Sequence, residues 1–273
     1  MAIEPLSELK KICWKETETV WYAKYVIRHF SIRFTRLLLP TGISANQATF
    51  IFLISGMLGC VLLGFGSQSL AILGVILIQA SYVFDCVDGE IARYNKQSSV
   101  NGVFIDSVGH VIITPLIFFS MTMFMFNNTH QVSIIILGIG AMWSSIRPMA
   151  NAKANVLLSL LQMSHLAYYD YTKLGTRGIS TSDAPKVKSS FASFLIDILS
   201  YPASMNIVSI LSMLYFYSPI ASTYFIKVYF GLHILIQIYL PIKWYRQNSV
   251  EKDFLSLRDK VLKTYKDQKS QKS

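Results

Sequence analysis

Six apolar runs, few charged residues and a one-sided distribution of lysine and arginine predict an all-α fold. The class is a polytopic membrane protein with six transmembrane helices and an N-terminal interfacial amphipathic helix. Soluble globular chains carry about 25% charged residues, whereas this 273-residue chain carries 15%, with 52% hydrophobic and 13% aromatic residues. Its mean hydropathy is +0.42. That leaves too little polar surface to coat a globule in water, and the same composition excludes disorder, collagen and coiled coil. A formal net charge of +10 points to a membrane surface and not to nucleic acid, because the basic residues cluster beside apolar runs. Cys13, Cys60 and Cys86 stand far apart with no Cys-x-x-Cys, so neither a disulfide framework nor a zinc centre is indicated.

A spanning helix needs roughly 17–25 mostly apolar residues, since backbone groups in lipid must be satisfied within the helix. Before the first such run, Val26, Ile27, Phe30, Phe34, Leu37 and Leu38 share one helical face, and Lys24, Arg28, Arg33 and Arg36 share the other. That pattern predicts a helix lying in the cytoplasmic interface, with an ordinary packed helix as the alternative. The first span runs from Ala48 to Gly66 and the second from Leu70 to Phe84, where it meets Asp85. The third covers Val111 to Phe126 and extends back to about Gly102; the fourth covers Val132 to Ser145. Phe191 to Tyr217 and Ile220 to Ile242 supply the fifth and sixth. No signal peptide is expected, because the first 40 residues mix acids and bases without a clean apolar stretch.

The connections set the orientation. Gly66-Ser67-Gln68-Ser69, Asn127-Asn128-Thr129-His130-Gln131 and Tyr217-Ser218-Pro219 contain no lysine or arginine. At the opposite ends lie seven basic residues in the first 40, then Arg93 and Lys96, six from Arg147 to Lys188, and nine from Lys243 onward. The positive-inside rule therefore predicts cytoplasmic termini. Lys227 alone departs from the pattern and reads as a lysine snorkelling to the outer interface. The domain organisation follows: a cytoplasmic N-terminal segment over 1–44 carrying the interfacial helix, a six-helix domain over 45–245, and a basic cytoplasmic tail over 246–273. The tail begins as a short helix and ends in Lys, Gln and Ser. Arg147, Arg177, Lys186 and Lys188 read as anchors or as acceptor contacts, and Asp197 as an acceptor-pocket residue or an ion-pair partner. Asn127-Asn128-Thr129 is a sequon in an outward loop.

Among only 15 acidic residues, Asp85 and Asp88 close the second span and Asp106 opens the third. Carboxylates at that depth are costly unless paired or bound to metal. Asp85 and Asp88 are three residues apart on one helix; Asp106 and His110 are four apart on the next. Two antiparallel helices can thus aim four ligands into one cytoplasmic-side pocket. Gly89, Ala92 and Gly102 remove bulk beside the acids. Hard oxygen ligands suit Mg²⁺ or Mn²⁺, which suit phosphate-bearing substrates. Arg93 stands ready for a phosphate or a carboxylate. Metal-assisted phosphoryl transfer is one reading; a buried ion-pair cluster that fixes helix register is the other.

The segment Asp85-Cys-Val-Asp88-Gly89-Glu-Ile-Ala92-Arg93, then Gly102, Asp106 and His110, resembles the signature D-x2-D-G-x2-A-R-x8-G-x3-D-x3-D of the CDP-alcohol phosphatidyltransferase family. Seven of its eight fixed positions match at the family's spacing. Ser44-Ala45-Asn46-Gln47-Ala48-Thr49 is similar to the family's T-P-N-Q-x-T, with Ala45 in place of proline. The resemblance extends over about residues 20 to 245, in helix count and in the interfacial helix. It implies transfer of a phospho-alcohol group, such as phosphatidyl, from a CDP-linked donor, such as CDP-diacylglycerol, to a hydroxyl acceptor with release of CMP. It further implies that Asp85, Asp88 and Asp106, with His110, hold two Mg²⁺ or Mn²⁺ ions on the donor's diphosphate. Asn46, Thr49, Gly89, Ala92, Arg93, Ser99 and Gly102 would line the CDP site, and the assembly would be a homodimer in the bilayer with its active site cytoplasmic.

One position departs from the family. Its last aspartate, the expected general base, is here His110. An imidazole with an unperturbed pKa near ~6.5 accepts a proton from a hydroxyl closer to working pH than a carboxylate does. As a ligand it shifts preference from Mg²⁺ toward Mn²⁺ or Zn²⁺. His110 as base in an active enzyme, a variant metal or acceptor chemistry, and an inactive CDP-binding homologue are the three readings this leaves. A polytopic ion-coupled transporter competes from another class, and the clustering of the acids at one membrane face argues against it.

Overall fold

The computed structural model describes residues 4–14, 22–65, 67–96, 100–146, 203–249, 251–256 and 258–259. Among these, every regular element is helical. Helix α1 spans Leu6–Cys13. A π-helical turn, Ala23–Ile27, runs into α2, Arg28–Leu38, and a 3-10 turn, Leu39–Thr41, leads on to α3, Ala45–Gly64. Then follow α4, Gln68–Tyr94; α5, Val100–Thr129; α6, Val132–Ser145; α7, Ala203–Tyr217; and α8, Pro219–Arg246.

Ala45–Gly64, Gln68–Tyr94, Phe104–Thr129 and Pro219–Arg246 are long and apolar enough to cross a membrane, while α6 and α7 are shorter apolar helices. The chain is thus an all-helical membrane protein, with α6 and α7 standing where the fourth and fifth spans are expected. The start of that fifth span at Phe191 lies outside the described residues, as do Arg147, Arg177, Lys186, Lys188 and Asp197. The chain divides into two compact units, Met1–Ile146 with Pro185–Gly231, and Arg147–Ala184 with Leu232–Ser273. Everything that bears on the acidic residues belongs to the first.

The turn from α2 into α3 is locally specified. Pro40 sits in the 3-10 turn and Gly42 takes a φ of 73°, a left-handed conformation that glycine adopts without steric cost. Ser44 then caps α3: its Oγ accepts from the Gln47 amide at 3.3 Å, and Gln47 Oε1 accepts from the Ser44 amide at 2.9 Å. This reciprocal capping box satisfies two N–H groups that a helix start leaves open.

Helices α3 and α4 form a close hairpin. A Cβ on Gly59 would lie 2.8 Å from the Gly74 carbonyl oxygen and 2.8 Å from the Ile78 amide nitrogen. Backbones pack at that distance only where both helices lack side chains, and dispersion then supplies the attraction that lipid-bathed helices otherwise lack. Gly56 instead makes room for a side chain, with Ile113 Cδ1 of α5 2.8 Å from where its Cβ would be. Around this centre Phe52, Ile113, Ile117, Phe118, Met121, Phe124 and Phe230 are fully buried. Phe118 stacks on Tyr229 at 6.2 Å, and Phe124 meets Tyr215 edge-on at 5.2 Å. Phe50, Ile54, Met57, Leu58 and Val61 leave one apolar side of α3 exposed, as contact with lipid requires.

Three local expectations are corrected. The second span's helix outlasts its apolar run from Leu70 to Phe84, because α4 continues unbroken past Asp85 and Asp88 to Tyr94. Asn127-Asn128-Thr129 is not in a loop but is the end of α5, where Asn127 Nδ2 donates to the Gly64 carbonyl at 3.0 Å. Arg28 does not share an outward face with Arg33 and Arg36. It is buried together with Ser31, Ile32 and Thr35, while Phe30, Phe34 and Leu37 are exposed. The polar stripe of α2 therefore faces the protein. Lys227 donates to Gln131 Oε1 at 2.6 Å.

Substituting Gly59 by Ala is expected to lower stability by about 2 kcal/mol, since the added methyl meets backbone on α4 and nothing flexible can yield. Gly231→Ala, where a Cβ meets nothing within 4 Å, is expected to cost nothing. Thermal unfolding of both variants in detergent checks the pair.

Candidate metal and active site

Helix α4 carries its acids on different sides, and each side meets a different helix. Asp85 faces α5, where His110 Nε2 lies 3.2 Å from Asp85 Oδ1 and 3.4 Å from Asp106 Oδ1. One turn on, Asp88 faces α3: its Oδ2 accepts from Thr49 Oγ1 at 2.7 Å. Thr49 Oγ1 also lies 3.1 Å from the Ala45 carbonyl, but a hydroxyl has a single proton, and the shorter contact to a carboxylate is the stronger. Glu90 faces α2 and is fully buried. It takes bonds from Ser31 Oγ at 2.7 Å, Thr35 Oγ1 at 2.7 Å and Arg28 Nη1 at 3.1 Å.

The Asp85, Asp106 and His110 donor atoms lie within 4.8 Å of one another, and all three residues are half-buried. Two carboxylates beside one imidazole concentrate negative charge where burial makes it costly. A divalent cation relieves this. Two oxygens and one nitrogen at these separations fit one such ion, whose ligand distances run roughly 2.0–2.2 Å. Asp88 stands outside that group of three and is only 8% exposed. The arrangement is thus three donors with a neighbouring carboxylate held by Thr49, not four equivalent ligands.

Packing fixes His110. Gly109 leaves room for Phe52, whose ring atom Cε1 would lie 2.6 Å from a Cβ there. The Phe52 ring then meets His110 at 5.6 Å between centroids. Gly89 adjoins Arg93, with Nη1 3.2 Å from where its Cβ would be. What approaches Gly89 is thus an arginine of the same helix. Arg93 itself is bonded through Nε to the Cys13 carbonyl of α1, a backbone oxygen and not a carboxylate. Ala92 is half-buried on α4, Gly102 half-buried in the first turn of α5, and Asn46 exposed in the first turn of α3. Ser99 lies outside the described residues.

Two features of the site are not read in the sequence above: Glu90 with its three α2 donors, and the Cys13 carbonyl. The spacing of Arg28, Ser31 and Thr35 at i, i+3 and i+7 is a helical stripe and is the signal that leads to Glu90. A backbone carbonyl leaves no signal.

The family model for CDP-alcohol phosphatidyltransferase matches residues 42–231, a stretch that includes α3 to α5 with Asp85, Asp88, Asp106 and His110. No curated protein matches the chain.

Asp85→Asn or Asp106→Asn removes a charged donor and is expected to abolish saturable Mn²⁺ binding, followed by loss of the free-ion EPR signal on titration. Thr49→Val leaves the ligands but frees the Asp88 carboxylate, and a weakening of about 10-fold is expected. A titration of Asp85→Asn identical to that of the unaltered chain would contradict the site.

Proposed function

The chain belongs to the CDP-alcohol phosphatidyltransferase family, and we propose that it transfers a phosphatidyl group from CDP-diacylglycerol to a small hydroxyl acceptor, releasing CMP. Members of the family use a divalent metal, a CDP-alcohol donor and an alcohol acceptor. The observation that carries the reading to this chain is the convergence of Asp85, Asp106 and His110 within 4.8 Å, with Asp88 beside them on α4.

In this reading Asp85, Asp88 and Asp106 hold Mg²⁺ or Mn²⁺ against the diphosphate of the donor. A divalent cation, when bound there, would neutralise the diphosphate and stabilise CMP as leaving group. The acceptor oxygen bonds to the phosphorus that carries the lipid alcohol, and the bond from that phosphorus to the oxygen of CMP breaks. His110 takes the hydroxyl proton as general base. Arg93, Gly89, Ala92, Gly102, Ser99, Asn46 and Thr49 surround the donor. A lipid donor is favoured because the acids sit within helices long and apolar enough to cross a bilayer, within reach of a substrate that stays in the membrane. The distribution of lysine and arginine supports cytoplasmic termini and a cytoplasmic site. The exposed Phe30, Phe34 and Leu37 of α2 support its contact with the interface. A six-helix domain over 45–245 and a homodimer complete the proposed organisation.

The test is CMP release from CDP-diacylglycerol by purified protein over a panel of hydroxyl acceptors, with Mg²⁺ or Mn²⁺ and with Asp88→Asn as background. Acceptor-dependent CMP is expected. His110→Ala is expected to lose turnover by about 10²-fold or more, with His110→Asp retaining part of it. Retained Mn²⁺ binding in His110→Ala assigns the histidine to proton transfer, and lost binding assigns it to the metal. Normal turnover in His110→Ala contradicts both. Binding of CDP without turnover on any acceptor would point to a ligand-binding homologue.

A further inference from the structure

The family match begins at residue 42, yet the segment 4–14 docks directly on an arginine of the site. Leu9 and Cys13 of α1 are fully buried against Ile32 of α2, with Trp14 and Tyr94 packed around them. Tyr94 donates to Glu4 Oε2 at 2.7 Å, and Trp14 meets His29 edge-on at 5.4 Å. At the last residue of α1, the Cys13 carbonyl accepts from Arg93 Nε.

That bond has a direction. A carbonyl at a helix C-terminus carries partial negative charge and favours a cation. It engages one edge of the guanidinium, whose five N–H groups form a rigid fork. The other edge lies over Gly89, and Nη2 is buried without a hydrogen-bond partner among the described residues. A buried guanidinium nitrogen with no acceptor is a costly arrangement that an anionic ligand would relieve. The Cys13 thiol takes no part: burial pushes its pKa up to about 11, so it stays neutral.

We infer that residues 4–14 are a positioning element for Arg93, holding its guanidinium through the Cys13 carbonyl so that the Nη edge addresses the diphosphate of the donor. The inference rests on the function proposed above and adds to it a part for a segment outside the family match. An arginine oriented beforehand does not lose its rotamer freedom when the ligand arrives, so the contact strengthens donor affinity. The α2 platform beneath α1 is itself fixed by Glu90 through Ser31, Thr35 and Arg28.

Leu9→Asp in the full chain undocks α1 without touching a site residue, and CDP in the presence of Mn²⁺ is the probe, followed by calorimetry in detergent. Roughly tenfold weaker CDP binding is expected, with Mn²⁺ affinity unchanged and with Leu9→Met restoring the original affinity. In an Arg93→Ala background, Leu9→Asp is expected to change CDP affinity no further, whereas a merely structural disturbance would weaken it again. Should Leu9→Asp not fold, Leu9→Ala carries the same comparison. CDP affinity in Leu9→Asp equal to that of the unaltered chain, or a further loss in the Arg93→Ala background, overturns the inference and leaves the proposed function standing. Failure of the unaltered chain to bind CDP overturns both.

Discussion

A carboxylate at the end of a membrane-spanning helix has to be neutralised or hydrogen-bonded, and α4 carries three within six residues. Each recruits a different neighbour. Asp85 reaches His110 on α5, Asp88 reaches Thr49 on α3, and Glu90 reaches Arg28, Ser31 and Thr35 on α2. Hydrogen bonds to charged groups contribute about 1.5–3 kcal/mol each, and burying a carboxylate costs several kcal/mol. The two nearly offset, so these contacts set geometry more than they add stability. The adhesion comes from elsewhere, chiefly the Gly59–Gly74 approach and the aromatic packing of α5 against Tyr215, Tyr229 and Phe230.

The division of labour explains what the sequence revealed. Helix positions were legible, because runs of apolar residues bounded by Gly66-Ser67 or Ser218-Pro219 have few other interpretations. The pairing of Asp106 with His110 was legible too, because an i, i+4 spacing places both on one face, whereas Asp85 and Asp88 at i, i+3 turn to α5 and α3. Partners across helices were not. Nothing in the spacing of Asp88 assigns it to Thr49, or in that of Glu90 to α2. The face of α2 was read with its arginines outward as a group, which suits a helix that keeps its charges in water. Arg28 instead follows Ser31 and Thr35 inward, because a buried Glu90 waits for it. An acid one helix away reversed the local pattern.

The family model covers one part of this geometry. The acids of α4 and α5 lie inside the matched region, residues 42–231. The buttress of α1 and the whole α2 stripe lie before it. His110 is the position at which the shared signature changes, and its surroundings fit the change. Gly109 admits Phe52 against the imidazole, so the ring is held by packing on one side and by two carboxylates on the other. An aspartate there would add a third negative charge to the cluster. The histidine adds a nitrogen donor without a further negative charge, so the cation need balance less charge.

The proposed function puts a divalent cation and the diphosphate of a CDP-linked donor in one site at the α4–α5 crossing. The most direct measurement is an experimental structure with Mn²⁺ and CDP, with the metal located by anomalous scattering. The expected result is Mn²⁺ coordinated by Asp85 and Asp106 at roughly 2.2 Å, with phosphate oxygens completing its shell. Manganese located elsewhere, or CDP bound with both carboxylates still turned only to His110, would contradict the account.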